Sequence, residues 1–197
     1  MSKTEFLIGR SGLDLVDDFY PDDLPSEWRF DYYSTQFKTL CLSIDTQEDL
    51  DSIFEELEDS EEEFELVLSV TTEQLMDIKA LKSLLATVAD YKDSFILFCE
   101  LEQAPSDAVM TLLKDYQVSF QSNKEFKFIF DGKLVAEKYL YYSHIPVLYT
   151  QNIWDDKQMR AYVEQAAVVN VRTILICKNA ESEALNKIRV IAEILGF

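Results

Sequence analysis

The chain has 197 residues, 48% hydrophobic and 28% charged, which suits one domain (1–197) with a sizeable core. Its formal net charge of −19 repels phosphate backbones, and Lys and Arg are scattered singly without a basic patch, so nucleic acid is excluded as a partner. No apolar run approaches the roughly 20 residues of a membrane span, which excludes a membrane role.

Met1–Glu5 leads straight into a short apolar stretch, without the longer apolar region and cleavage site of a signal peptide, and a cytoplasmic location is expected. Cys41, Cys99 and Cys177 are widely spaced and each lies in an apolar run, the pattern of buried reduced thiols. With no close cysteine pair and His144 as the only histidine, neither a metal site nor a cofactor is expected.

Short apolar runs alternate with stretches of helical period along the chain. Phe6–Gly9 reads as a strand, followed by a dense aromatic segment (Phe19, Tyr20, Trp28, Phe30, Tyr32, Tyr33, Phe37). Trp28, Tyr32 and Phe37 are assigned to core packing of a first helix, and Tyr20 and Tyr33 are candidates for a ligand platform. Lys38–Ile44 is the second strand. Leu50, Ile53, Phe54 and Leu57 then fall at i, i+3, i+4, i+7, as in an amphipathic helix. The acidic run Glu55–Glu65 lacks the spaced oxygen ligands and turn glycine of a calcium loop and reads as a solvated face.

Phe64–Val70 is the third strand. Thr71 and Gln74 form a capping-box pair that opens a helix carrying Leu75, Ile78 and Leu81, with Leu84, Leu85 and Val88 continuing the stripe. Phe95–Glu100 is a strand, Val109, Leu112, Leu113 and Tyr116 a helix, and Glu125–Asp131 and Ile145–Gln151 two further strands. Met159, Tyr162, Val163 and Ala166 mark a helix. Val171–Lys178 is the last strand, and Leu185, Ile188, Ala192 and Leu195 the last helix.

Most of these strands are apolar on both faces, as Phe95-Ile96-Leu97-Phe98 illustrates, which is the character of parallel sheets covered by helices. The periodicity therefore predicts an all-parallel α/β core. About seven βα units fit either a shortened TIM-barrel-like (β/α) barrel or an open parallel sheet, since a full eight-fold barrel takes about 250 residues.

Two ends of the chain carry a resemblance. The segment from Phe19-Tyr20-Pro21 through Leu24-Pro25 to Tyr32-Tyr33 and Phe37 resembles the FYP-x-x-LP hallmark, and the helix after it, of the YecE-like family. Ile8-Gly9-Arg10-Ser11-Gly12 is similar to that family's opening IGxSGW, with Leu13 where the Trp stands. Ile176-Cys177-Lys178-Asn179 with Ala184 and Asn186 resembles its FNN…A…NA close. The resemblance implies a barrel with its site at the C-terminal ends of the strands, in a family of unknown function.

At those ends the chain departs from the family. Cys41-Leu42-Ser43 stands where the family has EIN, Glu100-Leu101-Glu102-Gln103 lacks the prolines of its FQLPP, and Asp131-Gly132-Lys133 offers no Glu–Arg pair. The aromatic–His–Gly strand is missing, and the first of the paired asparagines is Lys178. A missing βα unit also implies a gap in the wall, covered by a helix or a partner chain.

Arg10, Ser11, Ser43, Glu100, Asp131, Lys178 and Asn179 lie at or just past strand ends and are the ligand-binding candidates; no catalytic residue is assigned. The first reading is a catalytically degenerate binding or interaction module, with a small anionic or polar ligand, a protein partner or a homo-oligomer as its partners. The second is a hydrolase or lyase on a small polar or anionic substrate, using Glu100, Asp131, Ser11 and Lys178. Arg10 and Lys178 are expected to pair with Glu100 and Asp131 across one mouth, which leaves the pocket self-satisfied; a cation left unpaired there would instead attract a small anion. His144 precedes its strand and so falls at the end away from a barrel site.

Overall fold

The computed structural model describes residues 4–16, 18–47, 49–152, 154–169 and 172–197. Strand β1 (Phe6–Gly9) is followed by helix α1 (Arg29–Gln36), β2 (Thr39–Ser43), α2 (Leu50–Asp59), β3 (Glu65–Ser69), α3 (Thr72–Met76), α4 (Ile78–Thr87), β4 (Phe95–Glu100) and α5 (Asp107–Leu112). The chain continues through β5 (Gln117–Ser122), β6 (Lys133–Val135), β7 (Lys138–Tyr142), β8 (Val147–Thr150), α6 (Asp156–Ala166), β9 (Thr173–Cys177) and α7 (Ser182–Leu195). Residue 171, the first of the expected last strand, lies outside the described residues. No described helix is long and apolar enough to cross a membrane.

The helices begin where side chains satisfy their free N–H groups. Thr71 and Gln74 form a reciprocal capping box on α3, and Asp155 and Gln158 form one on α6. The stripe expected to run unbroken from Leu75 to Val88 is instead two helices. Asp77 is extended (φ −86°, ψ 103°) and caps the amides of Lys79 and Ala80, so its carboxylate restarts the helix. At the other end of the chain, α7 stops at Gly196 in the left-handed region, φ 89°.

The strands form two parallel-rich sheets, one of order β1-β9-β8 and one of order β2-β3-β4-β5-β7-β6. All pairings are parallel except β5–β7 and β6–β7. The core is therefore not all-parallel. The expected strand Glu125–Asp131 does not form; β5 lies earlier, at Gln117–Ser122, and β6–β7 is an antiparallel hairpin laid along it. Phe126, Phe128 and Phe130 pack on the core from a loop, and the Phe126 amide donates to the Tyr141 hydroxyl at 2.6 Å.

Both faces of the parallel strands are buried. Alternate residues enter a large core against the helices, where Phe54, Leu66, Leu68, Leu97 and Leu175 are packed. The opposite faces meet in a separate cluster of Leu7, Cys41, Val67, Ile96, Phe98, Val147, Ile174 and Ile176, contributed by strands of both sheets.

Two joints connect the sheets. β1 meets β2 only at its C-terminal end, where the Cys41 amide donates to the Arg10 carbonyl and the Gly12 amide to the Cys41 carbonyl, both at 2.9 Å. The approach is so close that a Cβ on Gly9 would lie 2.1 Å from the Thr39 carbonyl oxygen. β5 and β8 are neighbours without a backbone ladder. Val147 N–H donates to Ser119 Oγ at 2.8 Å, and Gln121 bonds both backbone groups of Tyr149. At the N-terminal ends, Arg172 reaches Glu5, Glu63 and Glu65 within 3.5 Å and ties β9 to β3.

Within the aromatic segment the packing differs from expectation. Trp28 is 60% exposed, while Phe30, Tyr33 and Phe37 are buried. Helix α1 turns its Phe30/Tyr33/Phe37 side inward, and the Tyr33 hydroxyl donates to the Thr39 carbonyl at 2.9 Å.

Candidate functional site

Parallel strands place their C-terminal side chains at one end of the molecule, and there a cavity of about 710 Å³ opens. Its lining includes Ser43 from β2, Ser69 from β3, Phe98 and Glu100 from β4, and Tyr149 from β8. The start of α3 adds its N-cap Thr71 with Thr72 and Glu73, and the segment after β4 adds Glu102 and Gln103. The Phe98 and Tyr149 rings lie 5.4 Å apart between centroids and are tilted by 31°.

The polar groups are held in place by their neighbours. Ser43 donates to Asp45 at 2.6 Å, and Gln74 donates to the other oxygen of that carboxylate at 2.5 Å. The Ser43 bond is the main reason the Asp45 carboxyl titrates below its usual range. Thr72 donates to the Glu100 carbonyl at 2.7 Å. The Glu100 carboxylate accepts from Gln121 at 3.2 Å.

Next to this cavity, the Cys41 thiol is fully buried. Burial pushes it up to about 11, although the hydroxyls of Ser69 and Ser11 oppose the shift. Burial likewise raises the Tyr149 phenol, with Cys41 and Glu100 adding to the effect and Ser11 opposing it. Cys99 and Cys177 are also free and buried, each pushed up to about 12 chiefly by desolvation. These thiols are protonated near neutral pH, which is the opposite of an activated nucleophile.

The candidates from sequence separate into groups. Ser43 and Glu100 line the cavity, and Ser11 stands beside Cys41 and Tyr149. Lys178, one residue past β9, lies close enough to the Cys41 thiol to favour its ionised form. Asn179 lines a different cavity of about 310 Å³, with Trp154, Cys177 and Lys187. Asp131 is exposed in the loop before β6, because the strand that was to carry it does not form. Arg10 is 6% exposed and shares the helix-facing side of its strand with Ile8, opposite Ser11.

Among the described residues, Arg10 and Lys178 form no ion pair with Glu100 or Asp131, so the expected pairing across one mouth is not made. His144 is exposed, 3.1 Å from its neighbour Ser143, ahead of β8 and away from the cavity.

Sequence reasoning passed over Ser69, Phe98, Thr72 and Tyr149. Ser69 ends a predicted strand, and the rule that selected Ser43 selects it equally. Phe98 and Tyr149 sit within apolar runs and read as core. Comparison with protein-family models, curated proteins and solved structures returned no match, so the residues themselves carry the functional argument.

Proposed function

We propose that this chain is a small-ligand binding module built on a shortened parallel (β/α) barrel of the YecE-like kind, with the ligand held at the C-terminal ends of the strands. The observation that carries the reading is the cavity in which the Phe98–Tyr149 pair lies among Ser43, Ser69, Thr72 and Glu100. An aromatic surface beside a few fixed hydroxyls and a carboxylate suits a polyhydroxylated or cationic small molecule: the ring faces attract C–H and cationic groups, and the oxygens orient the ligand. Glu73, Glu100 and Glu102 add negative charge to the lining and disfavour an anion there.

Two features support the barrel. Following the joints at Cys41 and Gln121, the strands run in the order β1-β2-β3-β4-β5-β8-β9 and back to β1, and the second hydrophobic cluster takes side chains from six of these seven. The β6–β7 hairpin then fills the place of a missing βα unit, without a helix. The resemblance at both chain ends agrees with this reading.

The binding reading is preferred to the hydrolase or lyase because Glu100 is the one member of the proposed catalytic quartet that lines the cavity, and the neighbouring thiol is held protonated. Soaking crystals with monosaccharides, polyols and primary amines, against acetate and phosphate, tests the assignment. Density stacked on Phe98 or Tyr149 supports it; a cavity filled only by water, or preferentially by the anions, refutes it.

A further inference from the structure

On the helix-facing side of β1, one guanidinium lies over a tyrosine ring and a second is buried. Arg29, at the start of α1, lies over the Tyr20 ring with its guanidinium carbon 5.2 Å from the centroid. The Tyr20 hydroxyl donates to the Leu13 carbonyl at 2.8 Å. Burial raises the Tyr20 phenol to about 12, while the charges of Arg29 and then Arg10 draw it back; the Arg10 amide donates to the Tyr33 hydroxyl at 3.3 Å, and Phe19 packs against both Tyr33 and Tyr20.

Part of the two arginines' hydrogen-bonding capacity is unspent. Nε and Nη1 of Arg10 and Nε of Arg29 are buried and have no hydrogen-bond partner among the described residues. Buried guanidinium N–H groups are normally satisfied, and a buried charge without a counter-ion is costly. Among the described residues no carboxylate forms an ion pair with Arg10. Asp14 is 90% exposed at the side chain and reaches only Arg29, at 3.7 Å. Glu181 accepts from the Val16 amide at 2.9 Å. In a chain with nineteen more acidic than basic charges, an almost fully buried arginine without a carboxylate partner among the described residues is the anomaly to be explained.

We propose that Arg10 and Arg29, beside Tyr20, form an oxyanion site that takes the phosphate or carboxylate group of a small ligand. The planar fork of a guanidinium matches either group in a bidentate fashion, and the buried Nε and Nη1 of Arg10, unpartnered among the described residues, are donors that such a group would satisfy. The site is independent of the proposed mouth ligand: it lies on the opposite side of β1 and has the opposite charge preference.

The test uses the full chain in phosphate- and sulfate-free buffer. Thermal unfolding is followed against inorganic phosphate, sulfate and acetate at ionic strength held constant with sodium chloride, alongside the ³¹P line width of phosphate. Saturable stabilisation and line broadening are expected, with half-saturation shifted at least about ten-fold in Arg10→Gln and in Arg29→Gln. Arg160→Gln, which removes an exposed arginine paired with Glu164, is expected to leave the response unchanged. Should Arg10→Gln not fold, Arg29→Gln and the ³¹P line width still decide the matter. The proposal fails if no oxyanion saturates, as when a carboxylate of the 14–18 segment is the counter-ion, or if wild-type affinity survives in the arginine variants.

Discussion

The side-chain amide of Gln121 takes the place of a backbone strand for Tyr149: Oε1 accepts from the Tyr149 N–H at 2.9 Å, and Nε2 donates to its carbonyl at 2.8 Å. Gln121 is 1% exposed, so removing the amide strands a donor and an acceptor at a buried joint. Gln121→Leu is expected to lose about 2–4 kcal/mol of stability by urea denaturation, from two unsatisfied groups at about 1–3 kcal/mol each, less any gain from apolar burial. A loss below about 0.5 kcal/mol would show that the β5–β8 joint does not depend on it.

The other joint depends on the absence of a side chain. A methyl group at position 9 would meet the Thr39 carbonyl oxygen and the Thr39 methyl, at 2.1 and 2.8 Å. Backbone on both sides has little room to yield, so Gly9→Ala should destabilise by about 3 kcal/mol, at the upper end for overpacking. The same change at Gly12, where nothing lies within 4 Å but φ is +77°, adds backbone strain without a clash and should cost about 1 kcal/mol. Equal effects at the two positions would contradict the close contact at the joint.

What the sequence discloses and what it hides both have physical causes. Strands β2, β3, β4 and β9 are legible because burial on both faces leaves them almost uniformly apolar. Strand β5 is not legible, because Ser119 and Gln121 are polar in order to bond β8 with their side chains. The hairpin is hidden for another reason. Its two-residue turn, Ala136-Glu137, has φ of 47° and 64°, positions where Gly or Asn would have signalled it. With the hairpin unread, Phe126–Phe130 reads as a strand and carries Asp131 to a site it does not reach. Ser43 and Glu100 are found from sequence because they end legible strands. Arg10 is misplaced because one residue of strand parity separates the mouth from the helix layer.

Thiol chemistry follows from burial. Cys41, Cys99 and Cys177 are buried, free and shifted upward in pKa. A disulfide-exchange reagent at pH 8 should react with the native protein at least about a hundred-fold more slowly than with a free thiol, because the thiolate is scarce and shielded. In denaturant all three should titrate. Rapid native reaction of Cys41 would mean that the floor beside the cavity is open.

Acid stability should carry the signature of one carboxyl pair. Burial, followed by the charge of Asp31, raises Glu56 from 4.5 to about 7. A carboxyl raised in the folded state binds its proton more tightly there than in the unfolded chain. Its contribution therefore favours folding below about 4.5 and is lost as pH rises toward 7. The difference in urea midpoint between wild type and Glu56→Gln should shift in favour of the variant across that window and level off above it. A difference that is flat with pH would contradict the raised Glu56 carboxyl.

The mouth is tested most directly by saturation-transfer NMR on the full chain with a panel of monosaccharides, polyols and primary amines, set against acetate and methyl phosphate, whose methyl protons report binding. Members of the first three classes should show saturable contacts, weakened about ten-fold or more by Glu100→Gln or Tyr149→Ala, corresponding to one lost interaction of about 1.4 kcal/mol. Methyl phosphate and acetate should give no response that depends on those two residues. If no polyhydroxylated or cationic compound binds, or if binding is unchanged in both variants, the cavity at the strand ends is not a ligand site and the central proposal fails.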